Sequence, residues 1–168
     1  MVTEEPHIIE RLAQPYVAIK AQVTMQTIGT VLPGLHPRVF AWLGERGIPP
    51  AGPPFWKYNV IDMDRGLEVE VGVPVAAVVD GDGQVLAGVL APGRYAALRY
   101  TGHPDGLLGA TAYLLEWAMQ QNLTWDVTPG TDEDRWAARL EFYETDPAEE
   151  PDMTNWTTQL AFRLAGET

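Results

Sequence analysis

The stretch Leu67-Glu-Val-Glu-Val-Gly-Val73 sets Leu67, Val69, Val71 and Val73 in alternation with Glu68, Glu70 and Gly72. A period of two belongs to a β-strand with one buried face, because successive side chains leave the backbone on opposite sides. The turn residues Asp64-Arg-Gly66 come just before it, and Phe55 to Asp62 come before the turn, so the whole reads as a hairpin. Upstream, Val39-Phe-Ala-Trp-Leu43 belongs to a helix and Pro15-Tyr-Val-Ala-Ile-Lys20 to a strand.

The same order recurs downstream. Arg94-Tyr-Ala-Ala-Leu-Arg-Tyr100 reads as a strand, Leu107 to Met119 as a helix, and Trp136 to Tyr143 with Thr157 to Leu164 as a second hairpin. The fold class predicted is α+β: duplicated strand-helix-strand-strand modules form an antiparallel sheet, with two helices on one face and a ligand cleft on the other. Residues 1–168 make one domain of two pseudo-repeats, about 15–75 and 92–164. Asp80-Gly-Asp-Gly83 is the turn between them, separating extended segments at Val75 to Val79 and Val85 to Leu90. Pro33-Gly34 and His36-Pro37 kink or delay the first helix, which runs from Thr27 or Leu35 to Arg46 and stops at Gly47. Asp105 is the expected cap of the second, whose stripe is Leu107, Leu108, Thr111, Leu114, Leu115 and Ala118.

Composition excludes several classes. With 168 residues, 46% hydrophobic, the chain is long enough to bury a substantial core. Having no cysteine, it has no disulfide framework and no thiolate metal site. No apolar run approaches the roughly 20 residues needed to span a bilayer, and the N-terminus lacks signal-peptide character, so the expectation is a cytoplasmic protein without membrane contact. A net charge of -12 argues against nucleic acid and favours cationic partners. A monomer is expected.

The chemistry concentrates in the hairpins. Strand parity over 136–143 groups Trp136, Ala138, Leu140 and Phe142 under the helix and turns Arg139, Glu141 and Tyr143 towards the cleft. It likewise groups Trp56 with Tyr58, and Glu68 with Glu70 opposite the valines. Aromatic faces beside a carboxylate stack on flat rings and attract positive charge. The ligand-binding candidates are Trp56, Tyr58, Glu70, Arg139, Glu141 and Tyr143. Trp42, Trp117 and Tyr113 hold helical positions and read as packing. Trp125 and Trp156 read equally as pocket rim or packing. The acidic runs Asp132-Glu-Asp134 and Glu149-Glu150 with Asp152 read as solvated loops. His7, His36 and His103 lack a spacing that would gather them on a metal, and no nucleophile elbow, phosphate loop or dinucleotide fingerprint occurs. No cofactor is expected. Catalysis, if present, runs on a carboxylate, a phenol and water.

Four motifs in order carry a family resemblance: Gly52-Pro-Pro-Phe-Trp-Lys-Tyr58, Glu70-Val-Gly-Val-Pro-Val75, Gly93-Arg-Tyr95 leading to Tyr100-Thr-Gly102, and Glu141-Phe-Tyr143-Glu-Thr-Asp-Pro147. Together they resemble the GyrI-like small-molecule-binding domain over about Pro15 to Leu164. The resemblance implies the duplicated fold and a carboxylate, here Glu141, in an aromatic cleft that receives lipophilic cations. Family members are effector-binding domains of multidrug-sensing transcription activators or stand-alone proteins, and with no helix-turn-helix before Pro15 a stand-alone member is expected. Where members often carry Gly-Pro-Tyr, this chain has Gly102-His-Pro104, which removes the aromatic contact at that point.

Three functions follow from the resemblance. The first is a passive binder of planar lipophilic cations or aromatic drugs. The second is a hydrolase that opens cyclopropane-bearing DNA alkylators, with Glu141 as general base and Tyr58 or Tyr143 as hydrogen-bond donor. The third is a gyrase-inhibitor-like interaction module.

Overall fold

The computed structural model describes residues 2–62, 64–130 and 133–166. Short strands β1 (Val2–Thr3) and β2 (His7–Arg11) lead into β3 (Gln14–Val23). The first helix is split, as Pro33-Gly34 requires, into a single turn α1 (Ile28–Val31) and the main helix α2 (Leu35–Glu45). Gly47, at φ 66°, turns the chain away from it. The hairpin β4 (Phe55–Asp62) and β5 (Gly66–Pro74) follows, its turn held by Asp62 Oδ1 accepting from the backbone N–H groups of Asp64 and Arg65. Next come β6 (Val85–Leu90), β7 (Gly93–Thr101) and α3 (Leu107–Gln120). The chain ends with β8 (Val127–Pro129), β9 (Asp134–Trp136), β10 (Arg139–Tyr143) and β11 (Thr157–Arg163).

The predicted α+β class holds. Along the antiparallel sheet the order is β1-β7-β11-β10-β4-β5-β3-β6. One repeat contributes β4-β5-β3 and the other β10-β11-β7, so the two meet at β4 and β10 through the pairs Leu140↔Lys57, Glu141↔Trp56 and Phe142↔Phe55. Both helices cover one face. α2 seats Val39, Trp42 and Leu43 on Val17, Ile19 and Val73, and α3 seats Ala110 and Leu114 on Leu98, Leu160 and Phe162. Paired residues share a face, so the register Ile19↔Val71↔Trp56↔Glu141↔Leu160↔Leu98 draws one row beneath both helices.

The other face is also a core. Tyr16, Phe55, Tyr95, Leu140 and Phe142 pack together there, with Ile9 of β2 and Leu86 of β6 against them. Gly72 is required at this point: a Cβ would stand 2.5 Å from the Phe55 ring. Among the described residues, no helix is long and apolar enough to cross a membrane.

Several local expectations need correction. Val75 to Val79 is irregular, not extended, and β6 pairs with β3 after the Asp82–Val85 turn. Asp105 caps nothing in α3; it sits in a 3-10 turn, Pro104–Gly106, whose first N–H groups include one bonded to the His103 ring. Leu108 is exposed, while Ala110, Leu114 and Ala118 make the buried stripe. Trp136 to Tyr143 is not one strand. Ala137 turns out to donate its N–H to Asp126 O, which flips the parity, so Trp136 lies on the helix face with Phe162 while Leu140 and Phe142 lie on the other. Of the acidic run, Asp132 lies outside the described residues, and Asp134 belongs to β9.

Candidate functional site

Glu141 sits in the middle of the sheet, on the seam between repeats, only 8% exposed. Its position is not the one parity alone suggested: it faces the helix side, and the face without helices is filled by the Phe142 side of the strand. Tyr143 Oη donates to Glu141 Oε1 at 2.6 Å, and Tyr58 Oη donates to the same oxygen at 3.0 Å. Oε2 accepts no hydrogen bond from a described side chain or backbone group.

Burial shifts the titration of this group. Removing a carboxylate from water penalises its charged form, and burial pushes the Glu141 pKa above its ordinary value near 4.5, against the opposing pull of the two phenols and Arg139. Both phenols are pushed well above their ordinary range, first by burial and then by the Glu141 charge, so they remain donors. Arg139 leaves β10 on the same side and lays its guanidinium over Trp136 at 4.7 Å and Phe162 at 4.6 Å. Its charge acts on both Glu141 and Tyr58, while burial lowers its own pKa.

Aromatic residues wall the carboxylate. The Trp56 ring meets Tyr143 edge-on, centroids 5.3 Å apart, and its indole N–H is buried without an acceptor among the described residues. An unmade bond of this kind costs about 1–3 kcal/mol, and a ligand acceptor or a water would recover it. On the other side His36, in the first turn of α2, meets Tyr143 at 6.1 Å, with Nε2 3.4 Å from Phe55 O. Burial lowers its pKa and keeps the ring neutral. Sequence reasoning passed over His36, because nothing in its local spacing links a helix-start histidine to a tyrosine more than a hundred residues away.

Of the six ligand-binding candidates, Trp56, Tyr58, Arg139, Glu141 and Tyr143 are brought together. Glu70 is not. It is buried on the opposite face, where it accepts from Tyr16 Oη at 2.6 Å, Asn59 Nδ2 at 2.6 Å and Lys57 Nζ at 3.3 Å. The sheet register explains the separation: Glu70 is paired with Lys57 and Lys57 with Leu140, one position out of step with Glu141. Trp42 and Trp117 pack in the helix-side cores, as their helical positions suggested, and Tyr113 is exposed. Trp125 stacks with Trp136 and Phe162, and Trp156 donates to Glu150 O at 2.7 Å. Neither borders Glu141. Among the described residues, no group of three or more acidic or histidine side chains converges as a metal site would require.

The architecture is shared with solved structures. The EcmrR C-terminal domain matches with a TM-score of 0.72 at 15% identity, over 99% of this chain and 100% of that one. The chain spans 58% of the length of EcmrR as seen in its DNA complex. SAV2435 bound to tetraphenylphosphonium matches with a TM-score of 0.62 at 12% identity, covering 97% and 95% of the two chains. A hydrolase from Listeria innocua matches with a TM-score of 0.65 at 13% identity, covering 96% and 92%. At these identities the likeness is one of fold. No curated protein matches the chain by sequence. The sequence pattern of the GyrI-like small molecule binding domain, in contrast, matches residues 4–165, nearly the whole chain. This protein belongs to the GyrI-like small molecule binding domain family.

Proposed function

We propose that the gap around Glu141 takes planar, lipophilic and often cationic compounds, with Trp56, Tyr58 and Tyr143 offering aromatic faces and Glu141 the counter-charge. The observation that carries this reading is the asymmetry of the carboxylate: both phenols spend themselves on Oε1 and leave Oε2 open. A buried carboxylate with one uncommitted oxygen is costly alone and gains most from a cation that completes it. Such a cation would also lower the Glu141 pKa again, coupling binding to loss of its proton. Arg139 limits the choice: its nearby positive charge disfavours compact cations and tolerates charge spread over a large aromatic or lipophilic frame. SAV2435, whose structure holds tetraphenylphosphonium, supports this ligand class by likeness of fold. Glu141 is only 8% exposed, so ligand entry would require the side chains around it to move.

The same open oxygen favours a second reading, the hydrolysis of cyclopropane-bearing alkylators. Oε2 would take a proton from water as the water oxygen attacks a ring carbon, and the breaking C–C bond would leave its electron pair on a conjugated carbonyl. A raised pKa suits a general base. Here the phenols hold Oε1, which makes them positioning groups for the base and leaves the developing oxyanion to another donor, of which the free Trp56 N–H is the nearest in chemistry.

Fluorescence titration with a rhodamine dye, and mass spectrometry after incubation with a cyclopropane-bearing alkylator, separate the two readings when run beside Glu141→Gln. Dye binding with the alkylator returned intact indicates a passive binder. A water-added, ring-opened product that disappears in Glu141→Gln indicates an enzyme, and neither binding nor turnover rejects both.

A further inference from the structure

A cavity lies on the face opposite Glu141, beside an arginine whose guanidinium has no ion pair or hydrogen bond among the described residues. Arg11 is the last residue of β2, in step with Ile9, which is paired with Tyr95 on the helix-free face. Its guanidinium carbon stands 4.5 Å from the Phe142 ring centroid and 6.0 Å from that of Tyr95. Beside it opens a cavity of about 190 Å³ walled by Ala51, Pro53, Pro74, Phe142 and Gln159.

Arg11 combines a cavity at its side with the absence of a paired acid among the described residues. The chain has 23 acidic residues against 11 lysines and arginines, yet no described residue gives Arg11 an ion pair or a hydrogen bond. Glu144, on the cavity rim, is already claimed by Arg99 through contacts of 2.6 and 3.1 Å. Arg11 is therefore a partly buried fork of five donors, pressed on an aromatic ring and open towards a cavity of mixed lining, in which Gln14 and Gln159 stand beside Pro53, Pro74 and Phe142. Burial lowers its pKa and Tyr95 opposes this, as for a cation short of a counter-charge.

A forked planar cation matches a carboxylate with two parallel N–H···O bonds, and a neutral or cationic head would leave it unpaired. Pro53, Pro74 and Phe142 offer apolar wall to the ligand body, and Gln14 and Gln159 offer a polar edge. The volume exceeds the ~150 Å³ of a cavity known to hold one benzene ring. We propose that this cavity binds a small monocarboxylate with an aromatic or branched aliphatic body, its carboxylate clamped by Arg11 and its body enclosed by Phe142, Pro53 and Pro74. The site is independent of the reading of Glu141.

Benzoate titrated into the full chain, followed by backbone amide NMR shifts, tests this. The expected result is a saturable shift centred on Gly52, Phe142 and Gln159, with neutral benzamide and inorganic phosphate both much weaker. Arg11→Gln should weaken benzoate by about tenfold or more, the loss of a charge-assisted pair, while Glu141→Gln leaves it unchanged. Arg11→Lys keeps the charge and loses the fork, so it should fall between, and it carries the test if Arg11→Gln disturbs the fold. Benzoate shifts that fail to saturate, equal shifts with benzamide or phosphate, or full binding by either Arg11 variant would overturn the proposal.

Discussion

Glu70 and Glu141 lie on neighbouring parts of one sheet, each buried, each holding a tyrosine hydroxyl at 2.6 Å, and they are different devices. Glu70 is saturated: Tyr16 bonds one oxygen, and Asn59 and Lys57 share the other. Glu141 has two phenols on one oxygen and, among the described residues, no hydrogen bond on the second. Buried polar groups are paired as a rule, and a pairing complete within the chain serves the fold. An incomplete pairing set among aromatic rings is what the proposed ligand would complete.

The contrast breaks most visibly in stability. Glu70→Leu strands Tyr16, Asn59 and Lys57 without their acceptor, and loss of one partner from a buried charged network costs about 3–5 kcal/mol. Urea unfolding should register that loss. Glu141→Gln keeps the shape and removes a charge that burial disfavours, so the same experiment should give a change within about 1 kcal/mol, of either sign. Equal losses would erase the distinction.

Ligand affinity should separate the pair in the other direction. With a lipophilic cationic dye, Glu141→Gln should lose about ten- to a hundredfold in Kd, or 1.4–2.8 kcal/mol, the worth of a desolvated charge contact. Glu70→Gln should bind as the parent does.

A third difference is in pH. The folded protein holds the Glu141 proton to higher pH than the unfolded chain, whose carboxylate titrates near 4.5. The native state thus binds more protons above that point, and the contribution of Glu141 to stability, complete below pH 4.5, is lost as pH rises through the folded pKa. Measured as wild type minus Glu141→Gln, stability should fall across that window by at most about 1.4 kcal/mol per pH unit. A difference that stays flat, or rises with pH, would contradict the direction assigned here.

Smallest are the phenols. Tyr58→Phe and Tyr143→Phe each remove one hydrogen bond and leave the other, at about 0.5–1.5 kcal/mol apiece in thermal or urea unfolding. Both bonds favour the charged carboxylate, so each variant should move the pH window of Glu141 upward.

Much of this was legible in the sequence because it is written in local periodicity. The alternation from Leu67 to Val73, the turn at Asp64-Arg-Gly66 and the helix beginning at Leu107 translate directly into strand, hairpin and helix. The grouping of Trp56, Tyr58, Arg139, Glu141 and Tyr143 was legible too, since parity within a strand tells which residues stand together. Parity does not tell which side of the sheet they stand on. That depends on where the helices return, and the helices return over Glu141. Nor does it survive an irregularity, which is why Trp136 was wrongly grouped with Phe142. Glu70 was misassigned for a related reason: whether a strand's odd or even positions match those of a neighbour is fixed by the register Trp56↔Val71, a non-local fact. His36 and Arg11 were silent because their partners, Tyr143 and Phe142, lie at the far end of the chain.

One carboxylate is open and the other closed, and calorimetric titration of tetraphenylphosphonium into wild type, Glu70→Gln and Glu141→Gln tests that difference most directly. Saturable binding that survives in a folded Glu70→Gln and falls at least about tenfold in Glu141→Gln is the predicted result. Binding that is indifferent to Glu141→Gln, or lost equally in both variants, would contradict it.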